Sequence, residues 1–199
     1  MRTMLALLSL MVAARVSVVQ SQVDYYGRLG VTFSTKLLRD DLIQEIETRQ
    51  NLAPTLALGV SLPIAPTYTA GLEGTITSAG YYSEEQDLKT DLGTLRTGSL
   101  ILNLAGPIIP RLDWRAGAGV IHYWPADEQG IFLRGGPTRF LVGAGVDYRS
   151  SLLTSLDLMV SLRYDWHRFT TDELEARNFS GSQGVQRLSA SVGLSRARP

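Results

Sequence analysis

The chain contains no cysteine, which excludes disulfide frameworks, thiolate metal sites and cysteine nucleophiles at once. Its two histidines, His122 and His167, are too few for an imidazole-rich metal centre. Lysine is nearly missing: Lys36 and Lys89 stand against seventeen arginines, whereas a soluble surface ordinarily mixes both cations. Net charge is also absent. Nineteen basic and nineteen acidic side chains cancel, which removes the overall field that a nucleic-acid partner would require. With no glycine-rich nucleotide motif either, the sequence implies no cofactor. Nor is there an apolar run of the roughly 20 residues that a membrane-spanning helix needs.

What is present begins with an address. Arg2 precedes an eleven-residue apolar run, Met4 to Ala14, and Val19 and Ser21 fit the small-residue positions of a cleavage site. A basic start, a short apolar centre and small residues before the cut describe a secretory signal peptide over residues 1–21. An uncleaved anchor is disfavoured, because Arg15 ends the run too early to span. Residues 22–199 then form one domain, of a length ordinary for a single domain.

From Tyr25 onward the dominant period is two, the mark of strands whose faces differ. Tyr25, Leu29, Val31 and Phe33 alternate with Tyr26, Arg28, Gly30, Thr32 and Ser34. The same alternation recurs from about Thr55, Tyr68, Ser99, Leu112, Arg139, Leu156 and Arg187, giving eight strands. Three connections are short, around 63–66, 106–110 and 149–154. Four are long, roughly 36–52, 80–94, 123–137 and 167–183. That rhythm predicts an all-β, eight-stranded antiparallel up-and-down transmembrane β-barrel with both termini on the short-turn rim. Leu42, Ile43 and Ile46 suggest one or two helical turns in the first long loop.

The polar face decides which side is inside. It mixes Gly, Ser and Thr with charges of both signs rather than a water-facing coat of Lys and Glu. Arg28, Glu73, Asp113, Arg115, Arg139, Asp147, Arg149, Asp157, Arg163, Asp165 and Arg187 fall on or near it. Arg96 is assigned to the same lumen set, although it continues the apolar register of its strand; a bulge or a bend near Gly98 would carry it inward. An eight-stranded lumen is just wide enough to be filled by side chains, and charges enclosed there must be paired. The Leu/Val/Phe face then meets lipid, with aromatic girdles at the strand ends. An arginine at Leu158 would therefore be costly if that position lies near the midplane, whereas Ser161→Ala would be mild. The long loops hold thirteen of the nineteen acids against seven bases, an acidic crown without the spaced carboxylates of a calcium site.

Phe140 to Trp166 (FLVGAGVDYRSSLLTSLDLMVSLRYDW) resembles the penultimate hairpin of small bacterial outer-membrane β-barrel proteins, the opacity-protein and outer-membrane-protein-A-like barrels. Gly143, Gly145, Asp147, Tyr148, Arg149, Arg163 and Tyr164 carry the match. The resemblance implies a bacterial outer-membrane location, insertion by barrel-assembly machinery, and contact with outer-membrane lipid and lipopolysaccharide. The expected role is a non-catalytic scaffold displaying four acidic loops for adhesion or envelope integrity. Alternatives are a narrow solute channel and a lipid-modifying enzyme. The enzyme would need His122 within a Ser–acid constellation, whereas a lone rim histidine lacks those partners. His167 reads as a loop residue at the barrel mouth. A secreted soluble carrier would require the Leu/Val face to point inward.

Overall fold

The computed structural model describes residues 23–35, 38–40, 46–85, 88–126, 136–169 and 183–197. The signal peptide lies outside the described residues, as do Leu42, Ile43 and the loop acids Asp41, Glu45, Asp87, Asp127, Glu128, Asp172, Glu173 and Glu175. The described part is all-β. Its strands in chain order are β1 (Asp24–Ser34), β2 (Leu38–Asp40), β3 (Ile46–Gln50), β4 (Ala53–Pro63), β5 (Thr69–Glu85), β6 (Leu88–Ile109), β7 (Leu112–Pro125), β8 (Gly136–Leu153), β9 (Leu156–Phe169) and β10 (Gln183–Arg196). Eight of them close on themselves. Each barrel strand pairs antiparallel with its chain neighbours, and β1 pairs with both β4 and β10. Closure satisfies the backbone of every barrel strand, the condition a sheet must meet in hydrocarbon.

The alternation sorts side chains as the sequence pattern requires. Arg28, Glu73, Arg115, Asp147 and Arg163 are buried, while Leu29, Leu58, Leu72, Leu102, Val160 and Leu162 stand exposed on the outside. On a protein in water this apolar exterior would be an association hazard; against lipid it is the solvent-matched face. Tyr25, Tyr68 and Tyr148 are exposed near the short-turn rim, and Phe33, Phe140 and Trp166 near the opposite one, forming the two aromatic belts.

The short connections are tight. Pro63 and Pro66 bracket the β4–β5 turn, where the Ile64 amide donates to the Tyr68 carbonyl at 3.0 Å. At the β6–β7 turn Arg111 takes a positive φ of 70°, and its carbonyl accepts from the Arg149 amide at 2.8 Å. Leu153 and Leu156 end the strands on either side of the β8–β9 turn.

Three expectations are corrected. The span 80–94 is chiefly hairpin rather than loop, because β5 and β6 stay paired out to Glu85 and Leu88. The described part of the first connection is strand rather than helix: β2 pairs with β3, and β3 runs along β5 from Glu47↔Glu84 to Gln50↔Tyr81. The first two long connections thus join into one sheet beyond the barrel. Finally, β5 and β6 pair without a break past Gly98, from Leu72↔Leu102 to Ser78↔Arg96. The register shift lies at Tyr81/Tyr82 instead, across from Gly93, whose φ of 99° favours glycine.

Leu158 lies two residues into β9 and is only half-exposed, so the midplane position is Leu162, 48% exposed at the centre of the strand. Urea unfolding in lipid vesicles should show Leu162→Arg losing about 2–4 kcal/mol and Leu158→Arg about 0–1 kcal/mol, following the depth dependence of lipid-facing arginine. Equal losses would contradict this placement.

Candidate functional site

The lumen is the only place where the barrel concentrates chemistry-bearing side chains among the described residues, and it is zoned along its axis. The zones follow from which inward positions of the staggered strands share a level.

Glu73 occupies the central zone and is 0% exposed. Its Oε2 accepts from Arg28 Nη2, from Arg115 Nη1 at 2.5 Å and from the Tyr26 hydroxyl at 2.8 Å. Arg163 Nη1 stands 3.8 Å from its other oxygen. Asp147 takes the remaining arms, with Arg115 Nη2 at 2.5 Å, Arg28 Nη1 at 3.4 Å and the Ser161 hydroxyl donating to it. Both cations stand over the Tyr26 ring, the Arg28 guanidinium carbon 5.3 Å and that of Arg115 4.9 Å from its centroid. Its face attracts both. Glycine at position 59 makes this possible, because a Cβ there would run into the Tyr26 ring. Arg163 continues the network to Asp165 at 2.7 Å through Nε and to the Asn103 carbonyl oxygen at 3.0 Å. Gly143 gives the Asp165 carboxylate its space, which a Cβ would occupy.

Towards the short-turn rim, Arg149 bridges Asp24 at 2.9 Å and Asp113 at 3.6 Å and donates to the Ser195 hydroxyl. Below these ions opens a vestibule of about 720 Å³ walled in part by Tyr68, Pro107 and Arg196. Above the central zone runs a belt of hydroxyls. Ser189 meets Thr32 at 2.8 Å, Thr32 meets Thr55 at 2.6 Å, and Thr55 meets Thr77 at 3.0 Å. Arg187 donates to Thr77 at 3.1 Å.

The outer third is apolar. Leu95, Ile121, Leu141, Phe169 and Val185 are buried there with Tyr81 and Tyr123, and the cluster reaches inward to Ile101, which pairs with Glu73. His167 belongs to this plug, not to a loop. It is 0% exposed, accepts or donates a 2.6 Å bond with the Tyr123 hydroxyl, and stacks on that ring at 5.6 Å.

The structure therefore brings Arg28, Glu73, Arg115, Asp147, Arg163 and Asp165 into one network and sets Arg149 with Asp113 beneath it. Arg187 joins the hydroxyl belt. Arg139 is half-buried on β8 opposite Ile121, away from the central contacts, and Asp157 is half-buried at the short-turn rim opposite Ser151 and Ser195. Arg96 is a correction. It is exposed on the outer face between Ser78 and Trp124, because the unbroken register keeps it in phase with Leu100 and Leu102. Its long side chain at a strand end can reach headgroups from there. His122 is also outside, stacked on Trp124 at 6.0 Å and bonded to the Thr138 hydroxyl at 3.2 Å. Among the described residues no cluster of three or more acids and histidines is placed to hold a metal.

No protein-family model matches the chain, and no curated protein matches it in sequence. Solved structures do match in fold. Neisserial surface protein A superposes with a TM-score of 0.51 at 12% identity, covering 87% of this chain and 96% of that one. The outer membrane protein OprG from Pseudomonas aeruginosa gives 0.51 at 12% identity, with 88% and 95% covered. The outer membrane protein AlkL, solved in lipid bilayers, gives 0.53 at 13%, with 88% and 90% covered. The fold is that of the small eight-stranded outer-membrane β-barrels.

Two substitutions probe the network. Glu73→Leu leaves Arg28 and Arg115 facing an apolar group and should cost about 3–5 kcal/mol, the range for breaking a buried pair from one side. Ser161→Ala should not be mild, since Ser161 accepts from Arg28 while donating to Asp147; a loss of about 1.5–3 kcal/mol is expected for bonds to charged groups. Urea unfolding in detergent measures both, and near-zero changes would mean that the network does not stabilise the barrel.

Proposed function

We propose that the chain resides in a bacterial outer membrane as a non-conducting, non-catalytic barrel whose task is to hold its long connections at the cell surface, in adhesion or envelope integrity. The observation that carries this reading is the filled lumen. The short-turn vestibule reaches Asp24 and Asp113, the partners of Arg149; the Glu73 ion network occupies the central lumen, and the apolar plug follows beyond the hydroxyl belt. The vestibule shares no lining residue with the small cavity above it. A solute path would have to break several buried ion pairs and then part a close-packed aromatic cluster, each step costing several kcal/mol.

The sheet formed by β2, β3 and the β5–β6 hairpin supports the display reading, because it joins the described parts of two of the four connections into a single projection. Neither histidine supports the enzyme reading. His122 bonds to a threonine on the lipid-facing side, and His167 is sealed inside the plug. A general base needs a reachable nucleophile and an orienting acid.

Planar-bilayer recordings test this. The refolded chain is expected to give no steady conductance. A variant with the plug hollowed by Leu141→Gly and Phe169→Ala should give at most brief openings, because the ion network still blocks the lumen. Stable unitary currents from the unaltered chain would replace the scaffold reading with the channel one.

A further inference from the structure

Between the ionic zone and the apolar plug lies a small cavity of about 30 Å³, lined by Arg28, Arg163, Arg187, Glu73, Asp165 and the hydroxyls of the belt. That is room for one or two water-sized species, since a single water needs about 10–15 Å³ on this measure. Two features make it unlike a neutral water pocket.

The first is charge. Around this level four buried guanidiniums, Arg28, Arg115, Arg163 and Arg187, face three buried carboxylates, Glu73, Asp147 and Asp165. The acids that balance the interior as a whole, Asp24 and Asp113, sit at the rim with Arg149. The second is unused donors. Arg28 Nε and Arg163 Nη2 are buried without hydrogen-bond partners, on residues only 3% and 6% exposed, against one acceptor on the lining in the same state, Glu73 Oε1. Arg187, 7% exposed, makes one bond, to the Thr77 hydroxyl, and no ion pair with a described residue. A locally surplus buried cation costs several kcal/mol unless something neutralises it, and buried donors without acceptors add to that cost.

We infer that this cavity is a binding site for a small monovalent anion of the halide class, held by Arg187, Arg163 and Arg28 with the Thr77 hydroxyl beside it. A halide is little larger than water, carries the one charge the level lacks, and accepts hydrogen bonds from several directions. A tetrahedral oxyanion such as sulfate is too large for the space. A cation is disfavoured by the three lining arginines, and water alone would fill the volume but leave the charge.

The site lies deep in the lumen, between the ion network and the apolar plug, so the anion is captured as the barrel forms. The test is to refold the chain from urea into detergent micelles in sodium chloride, bromide, gluconate or sulfate at matched ionic strength. Above the dissociation constant, each tenfold rise in chloride should raise the folded-to-unfolded ratio about tenfold, bromide should act similarly, and gluconate should not; sulfate, excluded from protein surfaces, should stabilise wild type and Arg187→Gln alike. Arg187→Gln removes the surplus charge and should abolish the halide dependence while leaving the contacts of Arg28 and Arg115 with Glu73 and Asp147 intact. Crystals of the unaltered chain grown in bromide give an independent readout should that variant fail to fold: an anomalous peak is expected beside Arg187 and Arg163. Identical stability in chloride and gluconate, or bromide crystals with no peak in the cavity, would show that the space holds water and overturn the proposal.

Discussion

A carboxylate at the centre of a closed barrel can give up its charge only to its neighbours, and Glu73 has been surrounded accordingly. Two arginines and a tyrosine hydroxyl converge on one of its oxygens while a third arginine approaches the other. Those cations come from β1, β7 and β9, strands far apart in sequence, so the pairing ties opposite walls of the cylinder together. Stripping water from these ions costs several kcal/mol each, which only a dense mutual arrangement offsets. Arginine suits the role where lysine would not, because its planar fork serves two acids at once; Arg115 does this between Glu73 and Asp147. The near absence of lysine from the sequence follows from that demand inside and from the lack of an ordinary water-facing surface outside.

The other consequence is the zoning of the lumen. Ions occupy the inner and central levels, hydroxyls the next, and hydrocarbon and aromatic rings the outermost. Each zone pairs groups of its own kind: carboxylates with guanidiniums, threonines with each other, the His167 ring with Tyr123. Five buried arginines balance five buried acids over the whole interior, yet the balance is not uniform along the axis, and the small anion cavity arises where it fails locally. A lumen packed this way holds the wall rigid, which lets connections project from the rim as ordered sheet.

Much of this was legible beforehand. Alternation at period two fixed the eight strands, and the parity of Arg28, Glu73, Asp147 and Arg163 with glycine and serine placed them inside. Parity also held the answer for two residues read otherwise. Arg96 is in phase with Leu100, and His167 is in phase with Arg163 and Asp165; both obey their strand's register, with no bulge at Gly98 and with β9 running on to Phe169. What parity cannot give is height. Ile101, Leu141 and Val185 are inward by count, but their gathering into one plug depends on how far each strand is staggered against the next, and no local pattern encodes that. The β5–β6 extension was hidden for another reason: turn-forming residues between 80 and 94 look like loop when the pairing partner is not known.

Lipid meets the leucines while the ions face inward. Because the native chain has no cysteine, single spin labels can be placed at Leu102 and at Asn103 in reconstituted vesicles without removing any other thiol. At Leu102 the label should collide readily with oxygen and hardly at all with a water-soluble nickel chelate, as a lipid-facing site does; at Asn103 it should be shielded from both. A label at Leu102 that meets the chelate freely, with oxygen-rich lipid contact at Asn103 instead, would contradict the face assignment on which the network, the plug and the proposed role all rest.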